Sequence, residues 1–283
     1  MARFTNQAQL RYGNAVANSN IAVGEILEVL SATKNAVQDN YGQNDSITYI
    51  ISIVNAGNTA FNGLTIEDNL GSYTFNTTTL TPLTYVNDTI KYYINGILQP
   101  TPAVTPGPPL TITGISVPAS GNTTIVYEAA LNEYAPVATE SEITNTATIT
   151  GGGITPITVD ETVEALSEPI LSITKSVSPV PVTENGTLTY TFLIQNNGNT
   201  AADITDALTV TDTFDPKLTN LSASFNGTAW SEPANYTYNE TTGLFSTVPG
   251  QITVPAATFT QDPTTGSWIV TPGTSTLTVT GTI

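Results

Sequence analysis

Apolar and polar residues alternate with period two through much of this chain, in runs too short for helices. Ile143-Thr-Asn-Thr-Ala-Thr-Ile149 and Ile157-Thr-Val-Asp-Glu-Thr-Val163 show the pattern, and Tyr49-Ile-Ile-Ser-Ile-Val54 reads as a buried strand far too short to span a membrane. Between the runs lie Asn-Gly pairs, prolines and glycines, the residues that make tight turns. Such spacing predicts antiparallel strands packed as a sandwich. The Pro-rich stretch Pro100–Pro109 (PTPAVTPGPP) reads as a loop.

The pattern occurs twice. Leu30–Thr59 (LSATKNAVQDNYGQNDSITYIISIVNAGNT) superposes without a gap on Leu171–Thr200 (LSITKSVSPVPVTENGTLTYTFLIQNNGNT), which puts Lys34 on Lys175. After three inserted residues, Leu64–Leu70 matches Leu208–Phe214, and Asn122–Tyr127 matches Thr274–Val279 more weakly. The boundary between copies is expected near Ala165–Pro169. The expected divisions are an N-terminal segment over 1–24, a first repeat over 25–166 and a second over 167–283.

The first copy runs on through Ile143–Ile149 and Ile157–Val163, whereas the second stops at Ile283 without either segment. The chain begins, however, with Phe4-Thr-Asn-Gln-Ala-Gln-Leu10, which matches Ile143–Ile149 position for position, followed by Asn20–Ile26. Asn6 lies 28 residues before Lys34 and Asn145 lies 30 before Lys175, so the two connections are nearly equal. The second domain is therefore expected to be incomplete, with Phe4, Asn6, Ala8 and Leu10 as a donor strand for another copy. An open sandwich exposes an apolar groove and unpaired backbone groups that invite an extended segment. Head-to-tail exchange of this kind propagates into a filament. The alternatives are a segment that folds back into its own second domain, or a disordered tail.

The Lys-containing first strand, the Tyr strand ending in Asn-x-Gly-Asn-Thr, the Asp strand and Ile143–Ile149 together resemble the conserved-repeat, Ig-like β-sandwich domains of bacterial surface and pilus proteins. The resemblance implies domains cross-linked by Lys–Asn isopeptide bonds. Parity locates the residues. Lys34 shares a strand face with Leu30, Ala32 and Ala36, and Lys175 with Leu171, Ile173 and Val177. Asp68 falls among Leu64, Ile66 and Leu70, and Asp212 among Leu208, Val210 and Phe214. Asn145 falls among Ile143, Ala147 and Ile149, and Asn6 among Phe4, Ala8 and Leu10.

Burying one such polar group alone costs several kcal/mol, so three types entering the core in both repeats need a shared explanation. Burial disfavours the charged forms of Lys and Asp. A neutral amine can then attack the Asn carbonyl, with a protonated Asp68 or Asp212 polarising it and shuttling protons. The expected bonds join Lys34 to Asn145 within domain one and Lys175 to Asn6 between subunits. The alternative is a buried Lys–Asp pair with an Asn partner, or a lysine that snorkels to water. Glu67 and Asp206 fall on the outer face by parity.

Composition narrows the function. The chain has neither His nor Cys, which removes the commonest general base, thiol nucleophiles and the usual zinc ligands. A formal net charge of −17 with six basic residues disfavours nucleic acid and anionic lipid as partners. Neither a signal peptide nor a membrane span is visible. Asp203, Asp206 and Asp215 offer oxygen ligands for calcium, with solvated loop acids as the plainer reading. Trp230, Trp268, Tyr236 and Tyr238 suggest a glycan surface, against ordinary packing. The Asn-x-Ser/Thr triplets at Asn76 and Asn226 are what chance gives in so Asn/Thr-rich a chain.

The expectation is an all-β protein of two tandem Ig-like antiparallel sandwiches, the second completed by an N-terminal strand from another subunit. It would be a non-enzymatic subunit of a pilus-like fibre or spore appendage, outside the cell or on its surface. It would need no cofactor and no metal, and its partners would be copies of itself. The rival is an adhesin whose loops bind a host protein or glycan.

Overall fold

A computed structural model describes residues 2–283, and the chain folds as two compact all-β units. Unit one comprises the chain up to Asp39 with Asn44–Asn132 and Ile143–Val163; unit two comprises Asn40–Gln43, Glu133–Glu142 and Glu164–Ile283. Apart from a 3-10 turn over Ile204–Asp206, the regular elements among the described residues are strands.

In unit one the first sheet runs Ile97–Gln99, Lys91–Ile94, Asn122–Leu131, Ser46–Asn55, Leu30–Ala36. The second runs Ala103–Thr105, Leu110–Val117, Phe61–Asp68, Glu142–Gly151, Ile157–Ala165. Period two decides which side chains meet between the sheets. Ile47, Tyr49, Ile51 and Ile53 are buried along one strand, and Leu64 and Ile66 along another, while residues between them reach the outer faces. Each fully buried side chain of this size contributes about 1.5–3 kcal/mol. The Pro100–Pro109 stretch, expected as a loop, contributes the strand Ala103–Thr105 at the outer edge of its sheet. Proline lacks an N–H, so an edge, where one side stays unpaired, is where such a segment can join a ladder.

Unit two repeats the first sheet as Leu171–Ser178, Thr187–Asn196, Gly273–Thr282, Thr219–Phe225, Thr228–Trp230. Phe192, Ile194, Leu277 and Val279 from this sheet form one core with Phe214, Tyr236, Phe245 and Val254. A short sheet runs Thr211–Thr213, Leu244–Thr247, Tyr236–Asn239. Strand pairing gives the weak match between Asn122–Tyr127 and Thr274–Val279 its register. Tyr127 lies opposite Tyr49, and Val279 lies opposite Tyr190, the residue that superposes on Tyr49. Val279 therefore occupies the place of Tyr127.

Residues 2–26 form an antiparallel arm. Ala2–Asn6 pairs with Ala22–Ile26, and Gln9–Tyr12 with Ala15–Asn18. At the break between the two ladders, Ser19 N–H donates to Ala8 O and Ala8 N–H to Ser19 Oγ, both at 2.9 Å. In the single chain the segment Phe4–Leu10 breaks at Gln7 and Ala8 and folds on the chain that follows it. Two alternating runs joined by a turn satisfy their backbone groups most directly by pairing with each other. The arm buries little of its apolar surface, for Phe4 is 56% exposed and Leu10 65%.

Candidate functional site

In unit one the expected trio meets in the core, joined by a fourth residue. Lys34 comes from the strand Leu30–Ala36 and Asp68 from the end of Phe61–Asp68 in the facing sheet. Lys34 Nζ donates to Asp68 Oδ2 at 2.6 Å, with both side chains 0% exposed. Tyr127, from Asn122–Leu131, donates its hydroxyl to the same Oδ2 at 2.5 Å. Asn145, in Glu142–Gly151, donates from Nδ2 to the Tyr127 hydroxyl at 3.4 Å. Asn145 Oδ1 accepts from the backbone N–H of Gly71 at 3.2 Å, and Asp68 Oδ1 from that of Leu70 at 2.9 Å.

Apolar walls surround the cluster. Lys34 Nζ sits 4.9 Å from the Tyr49 ring centroid, and Tyr49 stacks on Tyr127 at 5.6 Å. Burial lowers the Lys34 pKa, against the opposing pull of Asp68. Burial first, and then the Asp68 charge, raises that of Tyr127, which keeps the phenol protonated.

The Asn145 carbonyl oxygen faces Gly71 N–H, and Asp68 Oδ2 is engaged by Lys34 and Tyr127. Tyr127 itself was not foreseen. The signal lay in its inward parity with Ile125 and Ala129, because a buried phenol needs a partner for its hydroxyl.

Unit two forms the corresponding ion pair in a different setting. Lys175 Nζ donates to Asp212 Oδ2, and Tyr190, Phe192 and Phe214 place their ring centroids 4.6, 5.5 and 5.3 Å from the amine. Here the Lys side chain is 40% exposed and the Asp side chain 18%. The strand Leu171–Ser178 is exposed along its whole length, with Ile173 at 52%. In unit one the Asp68 strand pairs on both sides, with Leu110–Val117 and with Glu142–Gly151. The Asp212 strand pairs with Leu244–Thr247 on one side, and among the described residues its other side carries no strand.

Asn6, the fourth residue expected to cross-link, lies in the arm, exposed and paired with Ala22. The arm has the register of the two strands that cover the Asp68 edge in unit one. Thr5 lies opposite Val23, and Thr144 Oγ1 meets Thr162 Oγ1 at 2.8 Å, the partners 18 residues apart in each pair. With Asn6 matched to Asn145, this register sets Ala22–Ile26 against Glu161–Ala165.

The other candidates are structural. Asp203 and Asp206 close a capping box at the 3-10 turn, with Asp203 Oδ1 accepting from Thr205 N–H at 2.7 Å and Asp206 Oδ2 from Asp203 N–H at 2.8 Å. Among the described residues no group of three or more acids is arranged to hold a metal ion. Trp230 stacks on Phe225 at 5.1 Å, Tyr236 lies 5.3 Å from Phe245, and the Tyr238 hydroxyl accepts from Leu218 N–H at 2.8 Å. Trp268 is half-buried, and Asn76 and Asn226 are turn residues with positive φ.

No protein-family model and no curated protein matches the sequence. Among solved structures, the chain is similar to the C-terminal domain of the AgI/II polypeptide BspA of Streptococcus agalactiae. Identity there is 12% and the TM-score 0.37, over 89% of this chain and 91% of that one. It is also similar to BcpA, the major pilin subunit of Bacillus cereus, at 12% identity and a TM-score of 0.36, over 96% and 73%. The pilus backbone protein RrgB of Streptococcus pneumoniae gives 14% identity and a TM-score of 0.36, over 86% and 55%. Fold likeness at this level transfers neither ligand nor role.

Proposed function

We propose that this protein is a structural subunit of a surface or extracellular filament, in which the arm of one copy completes unit two of the next. The observation that carries the reading is the arm's register, which reproduces that of the strand pair beside Asp68, while the edge beside Asp212 is open. Seated in that register, Ala8 would lie opposite Asp212 as Ala147 lies opposite Asp68. Asn6 would take, beside the Lys175–Asp212 pair, the strand position that Asn145 takes beside Lys34 and Asp68. Burying Phe4 and Leu10 would contribute about 1.5–3 kcal/mol each, and the arm's outer backbone groups would extend the short sheet. The contact joins two different surfaces, so it repeats head to tail.

In this reading Lys34 and Asn145 form an amide within unit one with loss of ammonia, and Lys175 and Asn6 form its counterpart between copies. Each site reacts once, so the chemistry is maturation of a structural protein. A net charge of −17 per subunit would keep neighbouring fibres apart.

Electron microscopy of the purified chain with and without residues 1–24 tests the assembly. Filaments are expected from the full chain, and soluble, non-polymerising protein with a destabilised unit two from the truncated one. Filaments from the truncated chain, or a full chain that stays monomeric at high concentration, would refute donation by the arm. Mass spectrometry tests the chemistry separately: a Lys34–Asn145 cross-linked peptide, lost in Asp68→Ala, is expected in monomeric and assembled protein alike.

A further inference from the structure

We infer that the Tyr127 hydroxyl is the proton relay of the Lys34–Asn145 reaction, an inference that rests on the amide-forming reading above. Among the described residues it is the one group hydrogen-bonded to both Asp68 Oδ2 and Asn145 Nδ2. Asp68 Oδ2 is where the lysine proton arrives, since Lys34 Nζ donates to it at 2.6 Å. Asn145 Nδ2 is the atom that must leave. The carboxylate and the leaving nitrogen are connected through the phenol.

The steps balance. One Nζ proton passes to Asp68 Oδ2, and the resulting amine attacks Asn145 Cγ. The Nζ–Cγ bond forms, and the carbonyl π pair moves onto Oδ1, facing the Gly71 N–H at 3.2 Å. Tyr127 then gives its hydroxyl proton to Nδ2 and takes the proton held by Asp68. The C=O re-forms, the Cγ–Nδ2 bond breaks, and Nδ2 departs as ammonia with the bonding pair. A second Nζ proton returns to Asp68, leaving the neutral amide. Lysine ammonium and carboxamide become amide, ammonia and one proton on Asp68, and nothing is oxidised or reduced.

The phenol suits this task because it is fully buried and stays protonated until it is needed. The ring is held by stacking on Tyr49 at 5.6 Å. In unit two Val279 stands at the equivalent position and offers no hydroxyl. The bond within unit one is therefore expected to form faster than the bond between subunits.

Cross-link formation can be timed by mass spectrometry after pulsed cell-free synthesis of the full chain. Tyr127→Phe keeps the ring and removes the hydroxyl, and the rate is expected to fall by about 10²–10⁴-fold, the usual contribution of a placed proton donor. A chain carrying 3-fluorotyrosine at position 127 keeps shape and fold but has a more acidic phenol. Its rate is expected to depart from wild type by at least about twofold, because relay rates follow the acidity of the donor. Wild-type rates in both chains would overturn the relay alone. A slow Phe chain beside a fluorotyrosine chain at the wild-type rate would assign Tyr127 to packing, which also overturns the relay. Absence of ammonia loss from the wild-type chain would overturn the amide-forming reading itself, and the relay with it.

Discussion

The two units build the same Lys–Asp pair in opposite surroundings. Lys34 and Asp68 have no exposed side-chain surface, whereas Lys175 and Asp212 are 40% and 18% exposed. The difference does not arise in the lysine strands, which share one register and one apolar pattern. It arises at the aspartate strand, closed by Glu142–Gly151 in unit one and open on that side in unit two. Pairing is thus local to two facing strands, while burial depends on a third. Only the third strand brings in the asparagine. Under the proposed assembly, closing that edge would both exclude water and deliver the asparagine, so completion of the fold and readiness for the proposed reaction would be one event.

The largest effect expected from this comparison is in Asn6→Ala. The variant keeps Phe4, Ala8 and Leu10, so filaments should still form, but denaturing gels should show monomer where the wild type shows a ladder. A ladder that persists in the variant would reject the bond between subunits and leave donation by the arm standing.

A second contrast asks what burial alone does. In a chain carrying Asn145→Ala, where no bond can form in unit one, Asp68→Ala strands a buried lysine. Denaturant unfolding should show a loss of about 3–5 kcal/mol. Asp212→Ala in the chain lacking residues 1–24 removes an exposed pair, and the loss should stay within about 1 kcal/mol. Equal losses at the two sites would mean that the difference in exposure has no energetic consequence.

The open edge can also be closed from outside. A peptide of residues 2–26 added to the chain lacking 1–24 should stabilise unit two by about 2.7 kcal/mol at a hundred times its Kd. Hydrogen exchange should slow at Thr211–Thr213 and along Leu171–Ser178. A peptide that protects neither strand would show that the arm does not fit this edge.

The smallest effect is one of pH. Desolvation holds the Lys34 pKa in the folded state below its unfolded value, near 10.4, so the unfolded chain binds more protons between the two values. The cost of burying this amine is fully present below the folded pKa and disappears as pH rises through the unfolded one. Stability measured for Asn145→Ala and for Lys34→Met/Asn145→Ala should therefore converge as pH is raised from 7 towards 10. A constant gap would show that Lys34 titrates alike in both states.

Much of unit one's cluster was legible in the chain because a strand's side-chain direction is a local property. Period-two parity alone placed Lys34, Asp68 and Asn145 on inward faces, and all three are buried. The repeat carried the same assignment to Lys175 and Asp212, which form their pair. Tyr127 had the right parity as well, but the partner of its hydroxyl depends on which residue of the facing sheet lies across the core, a contact 59 residues away along the chain. Parity was equally silent on how deeply Lys175 is buried, since its own strand reads like that of Lys34. The arm shows the same limit, for alternation over Phe4–Leu10 marks extended chain without naming the edges it pairs with. Strand, face and repeat follow from the order of residues because they are set by near neighbours. Partner and burial were decided only in three dimensions, where strands distant in sequence bring their edges together and exclude water.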